Sequence, residues 1–156
     1  MKIKIRRALT KDLPSILSMW RALMRFHKTL FPEHFKTKRD ALARYKTFLK
    51  KRLKAKNAAV FVAEANGQII GHIMVSRNKL PPVYSAREAY VDELFVKPNY
   101  RGKGVATALL QQAQKWAKEK KYNVIAISVN IKNTRAKKLY ENFRFKPFNL
   151  ALKKKI

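Results

Sequence analysis

Residues 90–110, YVDELFVKPNYRGKGVATALL, constrain the fold more than any other part of the chain. An apolar run rich in β-branched and aromatic residues reads as a strand over residues 87–96, and Lys97 and Pro98 end it. Gly102 and Gly104 then open a turn, after which Val105, Leu109, Leu110, Ala113, Trp116 and Ala117 recur at helical spacing as far as Lys120. Strand, glycine turn and helix in immediate succession are the signature of an α/β unit.

The rest of the chain extends that unit. KIKIRR, residues 2–7, alternates weakly and predicts a strand. Thr10 and Asp12 are placed to cap a helix whose apolar positions are Leu13, Ile16, Leu17, Trp20, Leu23 and Met24. Pro32 breaks that pattern. A second helix is expected from Lys38 to Leu53, with Leu42, Tyr45, Phe48, Leu49 and Leu53 as its apolar stripe and an almost entirely basic opposite face. AAVFVAE and QIIGHIMV flank Asn66 and Gly67, a strong signal for an antiparallel hairpin. YNVIAISV, residues 122–129, predicts a strand buried on both sides. Asn133 and Thr134 open a short helix with Ala136, Leu139, Tyr140 and Phe143 on one face, and the end, FKPFNLALKKKI, is expected to add one or two short strands around Pro147. The predicted order is β-α-α-β-β-β-α-β-α-β, an α/β fold with a mixed, mostly antiparallel central sheet flanked by helices.

A chain of 156 residues can bury a continuous core without disulfides or a structural metal, so one domain over residues 1–156 is expected. Absence of cysteine removes thiol catalysis and cysteine-ligated metal sites. His27, His34 and His72 are far apart and lack metal-ligand spacing; His72, beside Gly71 in an apolar strand, reads as a hydrogen-bonded sheet residue. No metal is expected. MKIKIRRALTKD has no uninterrupted apolar segment and no stretch approaches transmembrane length, so a cytoplasmic protein without a membrane partner is the expectation. The charge is unusual: 37 Lys and Arg against 9 Asp and Glu leave a net +28. That field attracts nucleic acid, anionic surfaces and phosphorylated ligands alike, and selects none of them.

The glycine turn narrows the choice. Gly102 and Gly104 allow close backbone approach, and the first N–H groups of the following helix have no internal acceptors. With the helix dipole and the charges of Arg101 and Lys103 they suit a pyrophosphate. The turn lacks the GxxxxGK-Ser/Thr pattern of a P-loop, and two glycines on a late strand fit a dinucleotide fingerprint badly. Arg101-Gly102-Lys103-Gly104-Val105-Ala106 resembles the acyl-CoA-binding R/Q-x-x-G-x-G/A motif of the GCN5-related N-acetyltransferase superfamily, with that family's V-x-P-x-Y approach at Val96 to Tyr100. NTRAKKLYENFRF resembles its second signature, with Asn133, Ala136, Leu139 and Tyr140 in matching positions. Arg144 departs from it, standing where the family commonly has glycine before Phe145; a left-handed residue there would strain Arg, and a locally remodelled turn is expected instead.

The resemblance covers essentially the whole chain and implies an acetyl-CoA-dependent N-acetyltransferase. The donor would lie on Leu94, Phe95, Val96, Arg101, Gly102, Lys103, Gly104, Val105, Ala106, Asn133 and Ala136, with the backbone around Phe95 and Val96 orienting the acyl group and Asn133 reaching the pantetheine arm. Tyr140 would protonate the departing thiolate. The acceptor would be an amine of a small molecule, peptide or protein, attacking directly in a ternary complex. An ammonium has no lone pair, so a proton must leave before or during attack; Asp92 or Glu93 can route it away, and Glu93 is the preferred candidate because its longer side chain can reach a water at the cleft. As neighbours in a strand the two are expected to point to opposite faces. Two other readings stay open: a basic nucleic-acid-binding protein using Lys38, Arg39, Lys46, Lys50, Lys51, Lys54 and Lys56, and a fold that binds CoA or a protein without catalysis. Nonspecific nucleic-acid association and a homodimer are likewise compatible with these residues.

Overall fold

The computed structural model describes residues 2–154 and Ile156; Met1 and Lys155 lie outside them. The alternating segments form strands β1 Lys4–Arg7, β2 Ala58–Ala65, β3 Gln68–Arg77, β4 Glu88–Val96 and β5 Val124–Ile127. They lie in one sheet in chain order, with every pair antiparallel except β4–β5, which is parallel. Asn66 and Gly67 both adopt positive φ, 49° and 72°, which suits the tight turn joining β2 to β3.

Helices α1 Leu13–Leu30 and α2 Ala41–Lys54 cover one face, and α3 Val105–Glu119 and α4 Thr134–Asn142 the other. On the first face Ile16, Met19, Tyr45 and Leu49 bury Val60, Val62, Met74 and Phe95. On the second, Val105, Leu109, Leu110, Ala113 and Trp116 bury Phe61, Ile73, Val75 and Val91. Every apolar position anticipated for α3 is buried. The stripe of α2 is narrower than its pattern implied: Tyr45 and Leu49 are buried, while Leu42 and Phe48 are exposed. On α1, Met19 joins the core and Leu17, Trp20 and Met24 flank it.

Three local expectations are overturned. Asp12 does not cap α1 through its side chain; a short 3-10 turn, Thr10–Asp12, precedes the helix, and the carboxylate turns back to accept from the Leu9 N–H at 2.7 Å and from both ends of the Arg6 guanidinium at 2.7 and 2.9 Å. Arg6 and its second partner, Glu64, lie near the chain's start and on β2, so this fork ties β1 to β2 and α1. β5 is not buried on both sides: it is the sheet edge, and Val124 is exposed. Nor does a strand form after α4 among the described residues, where Phe148, Leu150 and Leu152 are exposed. Pro147 removes a ladder donor there.

Candidate active site

β5 opposes β4 only from Glu88 to Val91. Beyond that point β4 runs on to Val96 with β3 on one side and no strand on the other. On that edge the backbone from Asp92 to Val96 has no neighbouring strand to bond to; the Val96 carbonyl accepts from the Arg101 side chain, and the other groups facing the gap are left to meet a ligand. Asp92 to Val96 lie along this open edge, and the turn carrying Arg101 to Gly104 follows directly from it.

On the α3 side, the turn after β4 is held by the Arg101 side chain, whose Nε donates to the Val96 carbonyl at 2.9 Å while its guanidinium lies 5.5 Å from the Phe95 ring centre. Gly102 and Gly104 adopt φ of 75° and 78°, a region closed to most side chains. Gly104 is the residue before α3, and its carbonyl accepts the first helical bond, from Ala108. The N–H groups of Val105, Ala106 and Thr107 are thereby presented at the helix start without helical acceptors. Burial and the nearby Arg135 charge both push Arg101 down from its ordinary value. Two guanidiniums close enough to repel, with no carboxylate paired to either among the described residues, make a site that an anion would relieve. Arg135 was missed in the sequence, although it stands two residues after Asn133 in the second signature.

Asn133 caps α4: its Oδ1 accepts from the Ala136 N–H at 3.2 Å. Tyr140, from the same helix, packs against the α3-side core and meets Phe145 edge to face at 5.9 Å. Burial pushes its phenol up to about 12, so at neutral pH it carries its proton. The turn that follows is not remodelled. Arg144 takes φ 69°, and the N–H groups of Arg144 and Phe145 donate to the carbonyls of Glu141 and Tyr140 at 2.9 Å each, closing the helix end as a glycine would.

Asp92 and Glu93 do not point to opposite faces. The β3–β4 register pairs Met74 with Glu93 and Val75 with Val91, so Asp92 is the extra residue of a bulge. An inserted residue resets the alternation, and both carboxylates reach the α1–α2 side. Glu93 Oε2 accepts from the Tyr45 hydroxyl at 2.6 Å, and His72 Nε2 stands 3.2 Å from the same oxygen. Tyr45 is in turn stacked on Trp20, ring centres 4.3 Å apart. Burial and the Glu93 charge push the Tyr45 phenol well above its usual range, so it remains a donor. His72 is fully buried, the hydrogen-bonded sheet residue its sequence context suggested.

Asp92 sits differently. Its Oδ1 lies 4.0 Å from Arg52 of α2, and its Oδ2 is buried without a hydrogen-bond partner. Burial pushes this carboxyl above the usual range, with Ser76 and Arg52 drawing it back and Glu93 adding to the rise. Sequence reasoning treated Tyr45 only as part of an apolar stripe. A buried phenol needs a partner, which is a signal, but the bulge that supplies Glu93 to it leaves none.

No group of three or more His, Cys, Asp or Glu side chains suited to a metal occurs among the described residues, and no described helix is long and apolar enough to cross a membrane. A hollow of about 420 Å³ is lined by Arg6 of β1, Asp12, Glu64 of β2, the start of β3 and Lys97, among others.

Residues 20–145 match the acetyltransferase (GNAT) family model. An uncharacterized N-acetyltransferase of Archaeoglobus fulgidus is 28% identical over 88% of this chain and 89% of its own. An N-alpha-acetyltransferase of Sulfurisphaera tokodaii is 34% identical over 64% of this chain and 63% of its own. The chain spans 38% of the length of an uncharacterized N-acetyltransferase of Methanocaldococcus jannaschii, with 31% identity in the shared part. Among solved structures, AAC(6')-Iy bound to a bisubstrate analogue of CoA and acetylneamine superposes with a TM-score of 0.73, 25% identity, and coverage of 100% of this chain and 99% of that one. A strand gap flanked by a glycine-built helix start, and a family match running through both signatures, lead to one conclusion: the chain belongs to the acetyltransferase (GNAT) family.

Proposed function

We propose that the protein transfers an acetyl group from acetyl-CoA to a primary amine by direct attack, with the donor entering the gap between β4 and β5 from the α3–α4 side and the amine arriving from the α1–α2 side. The parting of the two strands after Val91 carries this reading, because it leaves backbone between a basic helix start and a pair of carboxylates. Val105, Ala106 and Thr107 N–H groups, with Arg101 and Arg135, would hold phosphates; Gly102, Lys103 and Gly104 would let them approach; Leu94, Phe95 and Val96 would orient the thioester arm. Asn133 keeps its side-chain amide for the pantetheine carbonyls while its oxygen caps α4.

In the reaction the acceptor ammonium first loses a proton, its nitrogen bonds to the acetyl carbon, that nitrogen gives up a second proton as the carbon–sulfur bond breaks, and the departing sulfur takes a proton, leaving a neutral amide and the CoA thiol. We assign the first proton to Asp92, directly or through a water, because Oδ2 has no partner and the raised carboxyl is a stronger base than a free one. Glu93, held by Tyr45 and His72, would position the acceptor side of the strand. Tyr140, protonated at neutral pH, would supply the proton to sulfur. The acceptor class that fits best is a singly charged amine, such as a protein N-terminus, a lysine or a small amine. A net charge of +28 repels a polycation at long range, although AAC(6')-Iy, an aminoglycoside N-acetyltransferase, shares the fold.

Incubation with acetyl-CoA and separate pools of peptides, monoamines and polyamines, read by mass, tests this for wild type and Tyr140→Phe. The expected result is acetylated peptide or monoamine, with turnover about 10²-fold lower in the variant and acetyl-CoA affinity retained. A variant that lost affinity but kept turnover would remove Tyr140 from the chemistry, and no product in any pool would favour a CoA-binding module without catalysis.

A further inference from the structure

The two faces of α2 do different things. Its inner face gives Tyr45 to Glu93 and Arg52 to Asp92. On its outer face Lys46, Lys50, Lys51 and Lys54 are all exposed. Lys46, Lys50 and Lys54 fall at i, i+4 and i+8, one row along the helix, and Lys51 stands beside them. Arg44 is paired with Asp40 at 2.6 Å and Arg52 reaches Asp92, but none of these four lysines has a carboxylate within ion-pair distance among the described residues. Like charges at that spacing destabilise an isolated helix. A polyanion laid along the row would reverse that repulsion and release its own counterions.

A membrane surface fits poorly. An amphipathic helix binds lipid by burying its apolar face, and the apolar face of α2, Tyr45 and Leu49, is already in the protein core. Leu42 and Phe48 on its flanks are exposed, Phe48 with the Arg52 guanidinium 4.9 Å from its ring centre, and two such side chains offer little apolar area to insert. The electrostatic contact dominates, and a rigid, densely charged chain satisfies a straight row of cations best. We propose that Lys46, Lys50, Lys51 and Lys54 dock the phosphate backbone of nucleic acid on the acceptor side of the molecule. The proposal does not depend on catalysis, since the row lies on the far side of α2 from Asp92 and Glu93.

The test is anisotropy of a fluorescent RNA hairpin and a DNA duplex titrated with full-length protein across a salt series. One variant replaces Lys46, Lys50, Lys51 and Lys54 by Ala; a matched variant replaces Lys115, Lys118, Lys120 and Lys138, exposed lysines of the α3–α4 side. Both lose the same net charge, and thermal melts confirm that both fold. The expected result is a log–log salt slope shallower by about 3–4 for the α2 variant and an affinity at least about 10-fold weaker, with the matched variant changed far less. Equal weakening in both variants would overturn the proposal, as attraction by net charge alone. So would absence of binding at low salt, equally tight binding of polyglutamate, or stronger binding to anionic lipid vesicles. Acetyl transfer to a small monoamine, measured alongside, should be unchanged in both variants, and its failure in wild type would bear on the catalytic reading alone.

Discussion

On the α3 side of the sheet the candidate groups are mainly backbone N–H donors at the start of one helix; on the α1–α2 side they are two carboxylates held by side chains from α2 and β3. The first arrangement needs glycines at fixed positions and little else, because Gly102 and Gly104 at positive φ bring the chain into place. The second depends on one inserted residue in β4, which turns Asp92 to the side that Glu93 already occupies. A backbone site is written in local sequence, while a side-chain site is assembled by packing between segments far apart in the chain.

The largest effects should come from the carboxylates, and they separate the two. Asp92→Asn is expected to lower kcat/KM by about 10²-fold and to flatten the acidic limb of the pH–rate profile. Glu93→Gln keeps the oxygen that Tyr45 donates to, so a smaller loss is expected, about 10-fold, with the acidic limb retained. Steady-state rates across pH decide between them. If Glu93→Gln abolished the limb and Asp92→Asn left it, the roles assigned from the free Oδ2 and the occupied Oε2 would be exchanged.

The donor side should break differently. Gly104→Ala meets open space, so its cost is conformational: φ 78° in an L-residue costs about 1–2 kcal/mol. If binding of the phosphates requires that backbone, acetyl-CoA affinity should fall by about 10-fold, while the amine's own KM stays near wild type. Calorimetric titration with CoA measures the first and kinetics the second. An amine KM that rose equally would mean that the two sides of the sheet are coupled.

The same contrast explains what could be read beforehand. α3 was legible residue by residue because its apolar positions, its glycines and its approach strand are contiguous. The edge position of β5 was not, because a β-branched run looks alike whether a strand is covered or is the last in the sheet. Strand alternation assigned Asp92 and Glu93 to opposite faces, and a bulge has no dependable marker in one sequence. Tyr45 could be seen as apolar stripe but not as the donor to Glu93, since that contact spans 48 positions. Asp12 looked like a helix cap because it precedes Leu13, whereas a bidentate Arg6 only six residues earlier captures its carboxylate.

Arg52 tests the electrostatics between these halves more gently. Burial raises the Asp92 carboxyl, and the Arg52 charge 4.0 Å away opposes that rise. Removing the cation leaves burial and Glu93 both pushing upward, so Arg52→Met should move the acidic limb of the rate profile to higher pH without changing the plateau. Below the limb the variant is then slower than wild type, and above it the two converge. A limb that moved to lower pH, or stayed fixed while the plateau dropped, would show that Arg52 acts on the acceptor rather than on Asp92.

The smallest effect concerns Arg144, which stands where the resembled signature has glycine and holds a left-handed backbone all the same. Arg144 holds φ 69°, a conformation that costs a non-glycine residue about 1–2 kcal/mol. It is kept there because its N–H and that of Phe145 satisfy the carbonyls of Glu141 and Tyr140 at the end of α4. Glycine would adopt the same turn without the clash, losing part of the gain to the greater freedom of its unfolded chain. Arg144→Gly should therefore stabilise the fold by about 0.5–1 kcal/mol, read as a higher midpoint in urea with an unchanged slope. Arg144→Ala, which removes the side chain but keeps its Cβ, should give little or none of this. If Ala stabilised as much as Gly, relief of local positive charge rather than of backbone strain would be the cause, and the left-handed turn would be costing the helix that carries Tyr140 nothing.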